Sequence, residues 1–209
     1  MTAATECSSC AGGPQGEAPA AAFSPCGRYR WWLERHWDPR GPRLIFIGLN
    51  PSRADHRRDD PTLRRLVGLA RGWGYGSLEV LNLFAWISPT PAALCRQADP
   101  VGAEADSWLL RSLARHPQAP IWLGWGAQAD RSGRSTEVLA LLNGRELRAI
   151  GRTRSGQPRH PLYAPASARL EPWCWRDPWL LGHPGLTRRQ RPAAPPCPAS
   201  PGAMPSICT

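Results

Sequence analysis

Residues 44–52 read Leu44-Ile45-Phe46-Ile47-Gly48-Leu49-Asn50-Pro51-Ser52, an apolar run that stops at a glycine and continues as a polar loop. A short, continuous apolar run of this kind is typical of a parallel strand that is buried on both faces. Loops at the carboxyl ends of neighbouring parallel strands converge on one crevice, where ligands bind. This stretch therefore predicts an α/β fold with a ligand crevice beside Asn50.

Strand and helix patterns alternate after this stretch. Asp59-Asp60-Pro61 predicts the start of a helix, because an acid caps free N–H groups and proline suits the first turn, and Gly72 suits its end. The alternation predicts a three-layer α/β/α fold with a central, mainly parallel four-stranded sheet. The predicted strands are residues 44–47, 78–84, 121–123 and 147–150, and the later helices cover residues 102–115 and 136–142.

The two ends of the chain differ in composition from its middle. Residues 1–22 are rich in Ala, Gly and Ser, and residues 174–209 are rich in Pro, so we expect a disordered leader and a disordered tail. A single domain over residues 23–173 lies between them. Within it, residues 28–37 mix β-prone aromatics with charges, which predicts an edge strand or a short hairpin.

The predicted domain is basic. The whole chain carries a formal charge of +10, and residues 23–173 contain 22 arginines and 13 acids, a net charge of +9. A basic domain attracts polyanions, which makes DNA or a nucleotide the expected partner. However, all 26 basic residues are arginines, and this bias, together with abundant Ala, Pro and Gly, equally indicates a GC-rich genome.

The sequence indicates neither a membrane protein nor a metal-binding protein. There is neither an apolar stretch long enough to span a membrane nor a signal-peptide pattern. The seven cysteines are irregularly spaced, and Cys7-x-x-Cys10 is one isolated pair where a cluster needs four ligands. We therefore expect a cytoplasmic monomer with no disulfide framework, no cofactor, no metal and no membrane partner.

Polar residues that could take part in catalysis or ligand binding follow the predicted strands. Asn50 and Asn82 stand at strand ends, and His160-Pro161-Leu162-Tyr163 forms a later loop. Each asparagine has an equally simple structural reading, Asn50 as a turn residue and Asn82 as a partner of loop backbone. Asp55, Asp59 and Asp60 are candidates for a metal site or a stronger base. Helix capping by Asp59 or Asp60 and a solvated Asp55 are the favoured alternatives.

Several of these motifs resemble the uracil-DNA glycosylase superfamily. Gly48-Leu49-Asn50-Pro51-Ser52 is similar to the Gly-x-Asn-Pro loop whose Asn positions the attacking water. Val80-Leu81-Asn82 resembles the strand end that presents an Asn to the base edge. Leu123-Gly124-Trp125-Gly126-Ala127 is similar to the strand that precedes the last helix, and His160-Pro161 to the loop whose His faces the keto oxygen of the base.

A closer resemblance is to a bacterial and phage family, domain of unknown function 1643. The segments that carry it cover residues 23–30, Gly48 to Asp55, Asp60-Pro61-Thr62, and His160 to Tyr163. The resemblance extends over nearly all of residues 23–173. The function of this family is undefined.

The glycosylase resemblance implies a site and a reaction. Asn50 and His160 would be catalytic, and the hypothesis is hydrolysis of a nucleobase N-glycosidic bond in DNA or a nucleotide. Two rivals remain, a non-catalytic nucleic-acid or nucleotide-binding module and a hydrolase of modified nucleotides. The His-Pro loop continues as Leu162-Tyr163 where glycosylases have Ser-Pro. The implied substrate-binding residues are Gly48, Pro51, Ser52, Asn82, Phe84 and Tyr163, and the candidates for a base-stacking ring are Phe84, Trp86 and Tyr75.

Overall fold

A seven-stranded sheet organises the chain in the computed structural model, which describes residues 20–52, 58–94, 96–131 and 133–174. The architecture is mixed α/β, and its strand order is β1-β2-β4-β3-β5-β6-β7. The strands are β1 (Ala21–Phe23), β2 (Arg30–His36), β3 (Arg43–Gly48), β4 (Ser77–Asn82), β5 (Ile121–Leu123), β6 (Leu147–Ala149) and β7 (Glu171–Pro172); the helices are α1 (Pro61–Gly72), α2 (Pro91–Leu94), α3 (Ala105–Arg115) and α4 (Arg134–Leu141).

The four strands predicted from the sequence lie side by side in the sheet. β3 pairs in parallel with β4 on one side and with β5 on the other, and β6 pairs in parallel with β5. The predicted total of four strands is too low, because β1, β2 and β7 add antiparallel pairs. Residues 28–37, predicted as an edge strand or a short hairpin, contain the single strand β2, which is not at the edge because β1 pairs with it in an antiparallel manner. The sequence did not predict β1 and β7, because they are only three and two residues long.

Alternate residues of β3 contribute to two separate cores, as the period of a strand requires. Leu44 and Phe46 pack in one core with apolar residues of α1. Ile45 and Ile47 pack in the other core with apolar residues of α3 and α4. Burial on both faces explains why the sequence of β3 is continuously apolar.

The start of α1 follows the prediction. Asp60 is the N-cap residue, and its carboxylate accepts a hydrogen bond of 2.7 Å from the backbone N–H of Leu63. Pro61 is the first helical residue, and the helix ends at Gly72. α1 therefore begins near the loop that follows β3, where its first turn lines the site described below.

The third helix is shorter than predicted. α3 begins at Ala105 rather than at Gly102, whose φ of +78° is incompatible with a helix and whose N–H donates to the side chain of Asp99. None of the helices in the described ranges combines the length and the apolar character that crossing a membrane requires. Asp55, Cys7, Cys10 and Cys95 lie outside the described residues, as do most of the predicted leader and tail.

Candidate functional site

A small cavity at the carboxyl ends of β3 and β4 brings together three side chains that are far apart in the sequence. Asn50, Asn82 and His160 all line it, as the convergence of strand-end loops predicts. We call this cavity the inner recess. It holds about 30 Å³, room for roughly two water molecules. Its apolar lining consists of Leu33, Phe46, Leu49, Leu63, Leu66 and Val80.

A larger space, the outer cleft, opens beside the inner recess. Asn50 and His160 line both spaces, so the two are neighbours across these side chains. The outer cleft holds about 560 Å³, which is within the usual size range of small-molecule pockets. Trp125, Arg159 and Tyr163 also line it.

The loop after β3 holds the Asn50 amide in one orientation. Its Nδ2 donates to the carbonyl oxygens of Pro51 and Ser88, both at 3.0 Å. Both amide hydrogens are thereby used, and Oδ1 has no hydrogen-bond partner among the described residues. Asn50 therefore stabilises its own turn, as the structural reading proposed, and also keeps a free acceptor at the site.

Asn82 ends β4 and lies opposite Gly48 in the strand register. Its Nδ2 is buried and has no hydrogen-bond partner in the part of the chain that the structure describes. A Cβ on Gly48 would come within 3.0 Å of Asn82 Oδ1 and 2.9 Å of the Phe46 ring. The absence of a side chain at Gly48 therefore provides room for the Asn82 amide at the inner recess.

His160 lies in the loop before a 3-10 turn at Pro161–Tyr163. Its Nδ1 accepts a long hydrogen bond of 3.4 Å from the backbone N–H of Leu162, so the neutral ring carries its proton on Nε2. Burial lowers the pKa of His160 below its ordinary value. At neutral pH the ring is therefore an uncharged donor through Nε2.

Two of the three aspartates considered in the sequence have structural partners. Asp60 caps α1 and accepts a hydrogen bond from Ser52 Oγ, and it lines the recess. Asp59 forms an ion pair with Arg35 at 2.8 Å. In the described ranges, no three His, Cys, Asp or Glu side chains are grouped so as to hold a metal ion.

Arg30 lines the recess and is not among the predicted site residues. It is only 4% exposed, and burial lowers its pKa to about 10, an effect that the charge of Asp60 opposes. The guanidinium therefore stays charged at neutral pH. A bulge in the pairing of β1 and β2 adds one residue to β2, so that Arg30 lines the same cavity as Leu33 three residues later.

The aromatic ring in the inner recess belongs to Phe46. Its ring lies edge to face with Trp122, at 4.8 Å between centroids, and a Cβ on Gly124 would clash with it. Phe84, proposed for this position, is 6% exposed and packs in the core on the side of α3 and α4. The other two candidates also line neither space, since Trp86 packs against Tyr29 and Tyr75 packs against the α1-side core.

The remaining predicted substrate-binding residues differ in their position relative to the two spaces. Ser52 lines both of them, whereas Tyr163 lines the outer cleft and is 79% exposed. Pro51 is buried and lines neither space, but its carbonyl oxygen accepts from Asn50 and from the N–H of Ser88. Its role is therefore to hold the loop.

Comparison with known proteins gives one family. The family model described as "Protein of unknown function (DUF1643)" matches residues 30–162. No curated protein and no solved structure matches the chain. The matched span begins at Arg30 and ends two residues after His160, so it contains every residue that lines the inner recess. The span is more than half of the chain, and the protein belongs to the DUF1643 family.

Proposed function

We propose that this protein has a three-layer fold like that of uracil-DNA glycosylases and that it hydrolyses a nucleobase N-glycosidic bond in DNA or a nucleotide. The observation that carries the proposal is the buried Nδ2 of Asn82, which lacks a partner among the described residues and shares the inner recess with Asn50 and His160. An unpaired buried donor costs about 1–3 kcal/mol, so a ligand that accepts its hydrogen bond gains that amount.

The sizes of the two spaces suggest how a base would bind. The inner recess is water-sized, so it suits a held water or the polar edge of a base rather than a whole ring. The base ring would occupy the outer cleft and direct its edge toward Asn82. An asparagine amide offers a donor and an acceptor, which matches the two-sided edge of a pyrimidine.

The rate of hydrolysis would depend more on stabilising the departing base than on activating the attacking water. The water oxygen forms a bond to the anomeric carbon, the electron pair of the broken N-glycosidic bond leaves with the base, and the proton that the water loses passes to the departing base or to solvent. Asn50 Oδ1 can accept from the water and orient it, but an amide is too weak a base to remove its proton. His160 Nε2–H would donate to the developing oxyanion of the base, an interaction worth roughly 3–4 kcal/mol.

The test is base release from defined substrates. The purified full chain is incubated with uracil-, hypoxanthine- and damaged-base oligonucleotides and with free nucleosides, and the released base is measured by chromatography. We expect His160→Ala to lower the rate about a hundredfold or more. The matched controls His36→Ala and Asn143→Ala change exposed residues and keep the wild-type rate. Release of no base from any substrate, or activity in the Asn50→Ala/His160→Ala double variant, would overturn the proposal.

The second candidate is a non-catalytic nucleic-acid or nucleotide-binding module that uses the same site. The net charge of +9 over residues 23–173 favours it. Binding that weakens with added salt, without release of any base, would select this candidate over the first.

A further inference from the structure

A basic surface adjoins the outer cleft. Between Glu146 and Glu171 the chain contains five arginines and no acid. Part of this segment is a hairpin over residues 151–159, in which the N–H of Thr153 donates to the Gln157 carbonyl and the N–H of Arg159 donates to the Gly151 carbonyl. The hairpin and the following turn at Pro161–Tyr163 form what we call the basic rim.

The arginines of the basic rim differ in what they contact. Arg152 is engaged in the structure, because its guanidinium stacks 3.7 Å from the Trp173 ring centroid and donates to the Cys174 carbonyl. Arg154 and Arg159 are exposed, and neither forms an ion pair with an acid of the described ranges. Arg159 also lines the outer cleft. These two guanidinium groups are therefore accessible to an anionic partner.

An exposed aromatic ring lies beside these charges. Tyr163 is 79% exposed, lines the outer cleft, and has its ring centroid 6.0 Å from that of His160. Leu162 beside it is 45% exposed, and the third exposed large apolar side chain of the described residues, Leu110, is on α3. Aromatic rings on a basic surface are the usual platforms on which the bases of single strands stack.

We infer that the partner of this site is single-stranded nucleic acid, with Tyr163 stacked on the base next to the one in the outer cleft and Arg154 and Arg159 on its phosphates. The inference rests on the proposed nucleobase site. A mononucleotide has no neighbouring base for Tyr163. In a duplex every base is already stacked and paired, so exposing a base face costs free energy that a single strand does not require.

Fluorescence anisotropy with the full chain tests the inference. The probes are labelled deoxy and ribo single strands of about ten nucleotides, the matching duplexes, and a labelled mononucleotide. We expect at least one of the single strands to bind about tenfold or more tighter than the mononucleotide and its own duplex. The deoxy and ribo arms identify which sugar the surface accepts.

Variants assign the binding to the basic rim. Tyr163→Ser should weaken single-strand binding about tenfold, whereas Tyr163→Phe keeps the ring and the affinity. Arg154→Ala and Arg159→Ala should each reduce the slope of log affinity against log salt by about 0.7. The controls are Leu110→Ser, an exposed apolar residue on α3, and Arg40→Ala, in the loop before β3, and both should bind as wild type.

Three results would overturn the inference: no binding of either single strand, a mononucleotide or duplex that binds as tightly as the single strands, or wild-type affinity in Tyr163→Ser. Failure of the proposed hydrolysis is a separate outcome. Tyr163-dependent binding without base release contradicts only the hydrolysis, whereas base release from free nucleosides without oligonucleotide binding contradicts only the single-strand inference.

Discussion

Two polar residues on β4, Glu79 and Asn82, are three positions apart and face opposite cores, and their surroundings differ. Glu79 is fully buried, and Arg43 at 3.1 Å and Ser112 donate hydrogen bonds to its carboxylate. His116 Nε2 also lies 3.0 Å from Glu79 without an aligned hydrogen bond, and its ring attracts the carboxylate only when it is protonated. The Nδ2 of Asn82, in contrast, has no hydrogen-bond partner among the described residues.

This difference separates a structural polar cluster from a candidate site. A buried charge is tolerated only when it is paired and hydrogen-bonded, and the partners of Glu79 meet that requirement within the protein. An unsatisfied donor is a local violation of the same rule, and natural proteins concentrate such violations at functional sites. An unsatisfied polar group that also lines a cavity, as Asn82 does, is therefore the better indicator of a ligand.

Removing Glu79 should have the largest effect on stability. Glu79→Ala leaves the Arg43 and Ser112 donors without their buried acceptor, and loss of one partner of a buried pair costs about 3 kcal/mol. Urea unfolding followed by tryptophan fluorescence measures the change. Glu171→Ala, an exposed glutamate on β7, should stay within about 0.5 kcal/mol of wild type. Equal stabilities for the two variants would contradict the view of Glu79 as the centre of a structural cluster.

Adding one methyl group to Gly48 should have the next largest effect. The Cβ of Gly48→Ala would lie 2.9 Å from the Phe46 ring and 3.0 Å from Asn82 Oδ1, and overpacking of this kind costs roughly 1–3 kcal/mol. The matched control is Gly68→Ala in the interior of α1, where a Cβ meets nothing within 4 Å. That variant should gain roughly 0.5–1 kcal/mol from helix propensity. A stabilised Gly48→Ala protein would show that the recess has more room than the structure gives it.

The sequence predicted the parallel centre of the sheet and the meeting of Asn50, Asn82 and His160 in one cavity because both depend on local patterns. The run at residues 44–47 ends in a glycine, and Asp60-Pro61 starts α1 with a local cap. Both features are decided by residues close in the sequence. The convergence of Asn50, Asn82 and His160 follows from the parallel order of the strands that carry the first two.

The lining of the recess was harder to predict, for two physical reasons. Residues 44–47 of β3 are all apolar because both faces of the strand are buried, so the sequence does not distinguish Phe46, which faces the recess, from Ile45 and Ile47. The position of Arg30 depends on a one-residue bulge against β1, which changes the face that a side chain occupies. Neither effect has a local sequence signature, and the likeness to glycosylases stays a prediction.

Replacing Asn82 by an apolar residue tests the contrast with Glu79 directly. Asn82→Leu removes a buried donor that has no partner in the described structure, so we expect the stability to rise by about 1 kcal/mol. The same variant should lose base release or nucleobase binding. Asn143→Leu, an exposed residue after α4, is the control and should leave both unchanged. A destabilised Asn82→Leu protein would mean that the amide already has a partner and serves the fold.

The smallest expected effect is a loss of stability in mild acid. The Glu79 cluster contributes to it through His116, and the inner recess contributes through His160. Burial lowers the pKa of His116, an effect that Glu79 opposes and that Arg43 and Arg115 reinforce, and burial alone lowers that of His160.

Both rings have a pKa in the folded protein below the ordinary value of 6.5. The unfolded chain therefore binds more protons than the folded protein below pH 6.5, and the free energy of unfolding falls as the pH drops through this value. Urea midpoints at about pH 7.5 and 5.5 measure this fall around the ordinary histidine pKa. His160→Gln and His116→Gln should each reduce it, whereas Asn143→Gln, an exposed change that removes no titratable group, should not. If His160→Gln keeps the full acid sensitivity, the ring titrates as it does in the unfolded chain, and the view that burial at the recess lowers its pKa is wrong.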